Sequence, residues 1–157
     1  AATGGDGKSR PRAVINSLYI EADRCEELNL ALKKQYEEIA KNECMVEEQY
    51  MDDAEYVIAA YGTTARIALT AIRQARAQGV KAGLIRPITL WPFPKDAIKR
   101  AADHAKELLV VEMSMGQMVD DVRLAAECRV PVHFYGRTGG VIPTPKEILG
   151  EIDKLLK

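Results

Sequence analysis

Short apolar runs recur along the chain, each ending in a small or polar turn and handing over to a segment whose apolar positions are three and four apart. Leu109-Val110-Val111-Glu112-Met113-Ser114-Met115-Gly116-Gln117 is the clearest case, an apolar run closed by a carboxylate and a small-residue turn. It predicts a strand, a turn and a helix N-terminus. Val57 to Thr64, Leu84 to Phe93 and Val132 to Gly140 repeat the plan with Gly, Thr or Pro after the run. Repeated strand-helix alternation with short connections predicts right-handed crossovers and a mostly parallel sheet with helices on both faces, a three-layer α/β fold. With parallel strands all four turns fall along one edge of the sheet, where open α/β sheets bind ligands.

In chain order, Arg12 to Ile20 reads as extended chain and Ala22 to about Lys41 as a helix with the narrow stripe Leu28, Leu32, Tyr36 and Ile39. A stripe that narrow covers little core, so the segment reads as a linker helix over residues 22–43. Residues 44–51 alternate loosely. After the Asp52-Asp53 turn comes the buried strand Tyr56 to Tyr61, and the two runs are expected to pair as an antiparallel hairpin with 44–51 at the sheet edge. Gly62-Thr63-Thr64 turns the chain into a helix that Gly79 stops, with the threonines expected as caps. Val80 to Arg86 is the next strand, and the loop from Pro87 to Pro94 holds three prolines and the single Trp. That stiff apolar loop suits a subunit contact as well as it suits packing on its own domain. A helix opened by Pro94 or Lys95 has Ala97, Ile98, Ala101 and Ala105 inward; the one after Gly116 buries Val119, Val122 and Ala126. Gly136-Arg137-Thr138-Gly139-Gly140 reads as the most flexible loop. Thr144-Pro145-Lys146-Glu147 matches a capping box with proline at the first helical position, opening a helix with Ile148, Ile152 and Leu155 inward.

Composition narrows the function classes. Of 157 residues, 47% are hydrophobic and 29% charged, with a net charge of -1, a balance that gives no reason to expect nucleic acid or a membrane as partner. Cys25, Cys44 and Cys128 are far apart and lack any C-x-x-C pattern, so no iron-sulfur or zinc site is expected within the chain. A reducing, cytoplasmic setting is the expectation. His104 and His133 stand in unrelated contexts and read as structural or surface residues. Gly7-Lys8-Ser9 ends like a phosphate loop, but the glycine required before it is Ala2 and Pro11 interrupts the helix that must follow. Gly5-Asp6-Gly7 resembles the diphosphate-metal motif of thiamine diphosphate enzymes, yet lacks a suitably placed second ligand, and a polar entry segment is the simpler reading.

The predicted edge gathers Gly62, Thr63, Thr64, Arg86, Glu112, Ser114, Gly116, Gln117, Arg137, Thr138, Gly139 and Gly140, facing a ligand or an interface. Glu112 reads either as a buried acid with a raised pKa or, in preference, as a carboxylate tied to the amides of the next helix or to an arginine. Ser114 lacks the flanking glycines of a nucleophile elbow and an evident base. Arg137 among glycines suits an anionic group, or is an ordinary surface arginine. No catalytic set and no metal-ligand spacing emerges.

Four motifs carry a resemblance: Tyr61-Gly62-Thr63-Thr64-Ala65-Arg66, Leu84 to Pro94, Val111 to Met118, and Tyr135 to Gly140. From about Arg10 onward the chain resembles the C-terminal domain of the alpha subunit of 2-oxoacid:ferredoxin oxidoreductases, nearest to the 2-ketoisovalerate (3-methyl-2-oxobutanoate) type. The resemblance implies a fold similar to the transketolase C-terminal domain over residues 44–157, with residues 1–21 the tail of a preceding domain. It implies oxidative decarboxylation of a 2-oxoacid to an acyl-CoA by the whole enzyme, using thiamine diphosphate, Mg2+, iron-sulfur clusters and coenzyme A, with ferredoxin as electron acceptor. The thiamine- and iron-sulfur-carrying subunits are implied partners, and self-association stays open. This chain alone is expected to bind none of those cofactors and to be inactive. A small-ligand module for phosphate or coenzyme A, and a domain of a thiamine-dependent 2-oxoacid dehydrogenase component, are the alternatives.

Overall fold

The computed structural model describes residues 17–157, and the readings placed on residues 1–16 lie outside that range. The chain divides into a unit ending at Glu38 and a second from Ile39 to Lys157. Helix α1 (Ala22–Asn42) buries none of its residues and carries its own ion pairs, Arg24 with Glu27 at 3.1 Å and Lys33 with Glu37. The helix expected at Ala22 to Lys41 is therefore present, and its freedom from burial matches its narrow stripe.

The second unit alternates strand and helix as β1 (Val46–Gln49), β2 (Tyr56–Ala59), α2 (Gly62–Ala77), β3 (Ala82–Pro87), α3 (Lys95–Ala102), β4 (Glu107–Glu112), α4 (Met118–Ala126), β5 (Val132–Gly136) and α5 (Pro145–Leu155). The sheet order is β1-β3-β2-β4-β5; β2 to β5 run parallel and β1 is antiparallel. Central strands buried on both faces must be apolar throughout, which is why β2 and β4 read as uninterrupted runs. Successive side chains go to opposite cores. Val57, Ala59, Leu108 and Val110 meet α3 and α4 through Ile98, Met118 and Val122, while Ile58, Ala60, Leu109 and Val111 meet α2 and α5 through Ala68, Ile72, Ile148 and Ile152. The three-layer α/β expectation holds.

One pairing differs from expectation. The edge strand β1 is antiparallel as anticipated, but its partner is β3, with Glu47 opposite Arg86, and not the following strand β2. Strand β2 already has β3 on one side and β4 on the other, so no edge is left for a hairpin. The Met45 carbonyl accepts from the Ile88 and Thr89 amides, and Arg86 pairs with Glu47 at 2.9 Å, fixing β1 one strand further out. Two residues expected inward, Ala105 and Leu155, are only partly buried. Helix α4 ends without glycine: Glu127 and Cys128 take left-handed φ values of 52 and 59.

At the strand starts, Glu55 lies between Lys81 at 3.1 Å and Lys106 at 2.5 Å, while the Glu55 amide donates to the Lys81 carbonyl and the Lys106 amide to the Glu55 carbonyl. The Lys106 hydrogen bond, then the Lys81 one, holds the Glu55 carboxyl below its ordinary value. Within β3, Gly83 is dictated by space: a Cβ there would stand 2.8 Å from Ala54 Cβ, 2.8 Å from Met51 Sδ and 2.9 Å from the Tyr50 carbonyl oxygen. Gly83→Ala is expected to cost about 1–3 kcal/mol through overpacking. Urea denaturation against the wild-type chain measures it.

Candidate functional site

The four turns after β2, β3, β4 and β5 lie on one edge of the sheet, as parallel strands require. The chain reverses direction across the sheet between β2 and β4. The turns at Gly62–Thr64 and Met113–Gln117 therefore flank the crevice where open α/β sheets bind ligands.

Glu112 closes β4 and is fully buried. A buried carboxylate must find partners, and here it finds them in the orphan amides of α4. Its Oε1 accepts from Val119 N at 3.0 Å and its Oε2 from Met118 N at 3.0 Å, with Gln117 N lying 3.3 and 3.2 Å from the two oxygens. Ser114 Oγ donates to Oε2 at 3.1 Å and in turn accepts from Gly116 N at 3.0 Å. No side chain of the N-cap residue Gln117 caps the helix; the Glu112 carboxylate takes that place from the preceding strand. Among the described residues no buried side-chain nitrogen or oxygen lacks a partner. Of the two readings of Glu112, the one tied to helix amides is what the structure has.

The Glu112 carbonyl receives the Arg137 amide at 3.1 Å, joining the β4 turn to the β5 turn. The two approach so closely that a Cβ at Gly136 would stand 2.4 Å from the Ser114 carbonyl oxygen and 2.5 Å from Phe134 Cζ. Gly116, at φ +106, makes the turn back toward α4. The Arg137 guanidinium sits 3.5 Å from Glu147 and is partly exposed. Glu147 also completes the capping box of α5: Glu147 N donates to Thr144 Oγ1 at 3.2 Å, and Glu147 accepts from Thr144 N at 2.7 Å. Hydrogen bonds from Thr144, the backbone one foremost, hold the Glu147 carboxyl below its ordinary value. Burial, reinforced by the Glu147 charge, pushes the Tyr135 hydroxyl up. Both ends of the glycine loop, Arg137 and Thr144, are thus fastened to one carboxylate, with Thr138, Gly139 and Gly140 exposed between them.

The remaining candidates scatter. Thr63 and Thr64 are not caps: the N-cap of α2 is Tyr61, without a side-chain bond, because Gly62 at φ +56 already begins the helix. Thr63 is exposed and Thr64 buried. Arg86 is held by Glu47 at the β1 side, and Gln117 is exposed. His133 lies 2.8 Å from Glu107 across the sheet. Two features escaped sequence reading, the need for glycine at 136 and the tie from Arg137 to Glu147, since both depend on which loops become neighbours.

A family model described as pyruvate:ferredoxin oxidoreductase core domain II matches residues 54–148, more than half of the chain and all four motif turns. The chain belongs to that family. Among curated relatives, the ketoisovalerate oxidoreductase subunit VorB of Methanothermobacter thermautotrophicus is 42% identical over 139 residues, covering 88% of this chain and 39% of the relative. The 2-oxoglutarate synthase subunit KorA of Methanothermobacter marburgensis is 41% identical over 107 residues, 68% of this chain and 28% of the relative. The chain thus spans about two fifths of the ketoisovalerate oxidoreductase subunit. Among solved structures, a 2-oxoglutarate:ferredoxin oxidoreductase from Magnetococcus marinus, with 2-oxoglutarate, coenzyme A and succinyl-CoA bound, superposes with a TM-score of 0.78 at 19% identity over 96% of this chain and 28% of that one. A split-gene transketolase, an inactive beta4 tetramer, gives 0.61 at 18% identity over 71% of this chain and 41% of that one. The family and the transketolase-like fold read from the motifs are those the comparisons give.

Among the described residues no three His, Cys, Asp or Glu side chains gather to hold a metal, and Cys25, Cys44 and Cys128 are all free thiols. No described helix is long and apolar enough to cross a membrane.

Two tests follow from the geometry. Glu112→Ala strips three helix amides, two of them buried, of their acceptor and is expected to cost roughly 2–4 kcal/mol, and Glu112→Gln, which keeps one acceptor oxygen, about half as much. Chemical denaturation of the two variants checks the order. Because the Glu147 carboxyl is depressed in the fold, its stabilisation is complete above the ordinary Glu value of about 4.3 and disappears as pH falls through the depressed value. The melting-temperature gap between wild type and Glu147→Gln is expected to close on acidification.

Proposed function

We propose that this chain is an assembly domain of the alpha subunit of a branched-chain 2-oxoacid:ferredoxin oxidoreductase. In this reading the whole enzyme joins the 2-oxoacid to coenzyme A as an acyl-CoA, releases carbon dioxide and passes the electrons to ferredoxin. Thiamine diphosphate with Mg2+ and the iron-sulfur clusters supply the carbanion and electron-transfer chemistry, and other subunits or domains hold them. Residues 22–43 serve as a linker helix, and residues 1–21 as the tail of a preceding domain, in a cytoplasmic enzyme.

The observation that carries this reading is the self-sufficiency of the polar site. Glu112 spends its carboxylate on its own helix, Ser114 is engaged with Glu112, and Arg137 and Arg86 are paired with Glu147 and Glu47. Groups occupied in this way shape an edge and leave little with which to grip phosphate or coenzyme A. The 42% identity to a ketoisovalerate oxidoreductase subunit supports the substrate class.

Titration calorimetry of the 157-residue chain with thiamine diphosphate and Mg2+ is expected to give no saturable heat, and tight binding would refute the assignment. Affinity purification from an anaerobic extract separates the enzyme classes. An iron-sulfur subunit among the co-purifying proteins supports the ferredoxin enzyme; a lipoyl protein overturns it.

A further inference from the structure

Every arginine of the described residues but two has a carboxylate oxygen within 3.5 Å of its guanidinium. The exceptions are Arg66 and Arg73, whose side chains make no ion pair or hydrogen bond among the described residues. Both stand on α2, and both are exposed. Helices α1, α3, α4 and α5 each carry an acid in the first turn, whereas α2 has no Asp or Glu anywhere along its length.

The two arginines share one face. Thr63, Arg66, Thr70, Arg73 and Ala77 follow one another at intervals of three and four, and all five are exposed. Ala68, Ile72 and Ala75 seat the opposite side of α2 in the core, so this face is turned outward. Arg66 and Arg73 lie seven residues apart, roughly 10 Å along the axis at about 1.5 Å per residue. Short side chains at 63, 70 and 77 leave the two guanidinium groups standing above the rest of the face. Arg76, on the same helix, shows the contrast: it is turned into its own domain, 2.8 Å from Asp53, 3.0 Å from the Ala82 carbonyl oxygen and 5.1 Å from the centre of the Tyr50 ring.

We propose that the outward face of α2 docks on an acidic face of another subunit or domain of the assembly, one presenting two carboxylates about 10 Å apart, one to each guanidinium. An apolar occupant would bury two charges without partners, which costs more than its contact returns, and a basic one would be repelled. A carboxylate matches the planar fork of arginine with two parallel hydrogen bonds, and arginine is enriched where protein faces meet. Two cations are too few for the alternatives. Nucleic acid draws its affinity from the neutralisation of many phosphates, and an anionic membrane from clusters of about four to eight basic residues. The proposal gives the chemistry of one neighbour of the assembly domain and rests on that reading.

Modification by phenylglyoxal, which is selective for arginine, decides it when followed site by site by mass spectrometry. In the free 157-residue chain Arg66 and Arg73 are expected to react faster than the paired arginines. In the anaerobically purified enzyme the same two are expected to be protected by about tenfold or more. Charge reversal by Arg66→Glu with Arg73→Glu, exposed and checked for folding by circular dichroism, is expected to lower recovery of the partner subunits by a similar factor. Arg123→Glu with Lys154→Glu, an equal change of charge on the exposed faces of α4 and α5, is expected to leave recovery unchanged. Equal reactivity of Arg66 and Arg73 in the free and assembled states would overturn the docking face, as would equal losses in the two double variants. Full protection of the free chain by inorganic phosphate alone would overturn a protein occupant. The assembly reading stands in each case if an iron-sulfur subunit co-purifies with the wild-type chain.

Discussion

The burial of one carboxylate fixes the geometry of the strand-end edge. Glu112 has no water to turn to, and the first amides of α4 have no earlier carbonyls to receive them. Each requirement meets the other, since an anion is favoured at a helix N-terminus and charge-assisted bonds to backbone amides are among the stronger ones available. The position of α4 relative to β4 is thereby set by a polar contact as well as by packing. The Met113–Gly116 turn must loop outward to let the two ends meet, and the neighbouring turn is tied in through the Glu112 carbonyl and the Arg137 amide. A charge that might have been a reagent has become a joint.

The same arrangement engages the charged side chains Glu112, Arg86 and Arg137 within the domain itself. These three are used internally, and what the turns expose is glycine, apolar side chain and the polar Thr63, Gln117 and Thr138. Difficult steps in enzymes of this class belong to cofactors, and the protein contribution consists of binding and orientation. A rigid α/β unit suits that contribution.

Much of this was legible in the chain because it is local. The capping box at Thr144 and Glu147 depends on residues three apart, the buried strands on uninterrupted apolar runs, and the link from Glu112 to α4 on a carboxylate placed just before a helical pattern. What the pattern concealed was non-local. Strand β1 looked like half of a hairpin because β2 follows it, yet β2 is enclosed by two parallel neighbours. Thr63 and Thr64 looked like caps because their hydroxyls suit the task, but Gly62 starts the helix before them. Gly136 looked like flexibility; it is small because the Ser114 carbonyl from another turn occupies the space beside it.

The two ends of the sheet are held by different physics. At the strand starts, Glu55 is gripped by Lys81 and Lys106 in the open, where mobile ions compete for every charge. At the strand ends, Glu112 is enclosed and beyond the reach of salt. Rising ionic strength therefore acts on the sheet as on a book bound along one side, loosening the pages where β2, β3 and β4 begin while the spine near α4 stays closed. The domain's response to ionic strength thus originates on the side that faces away from its motif turns.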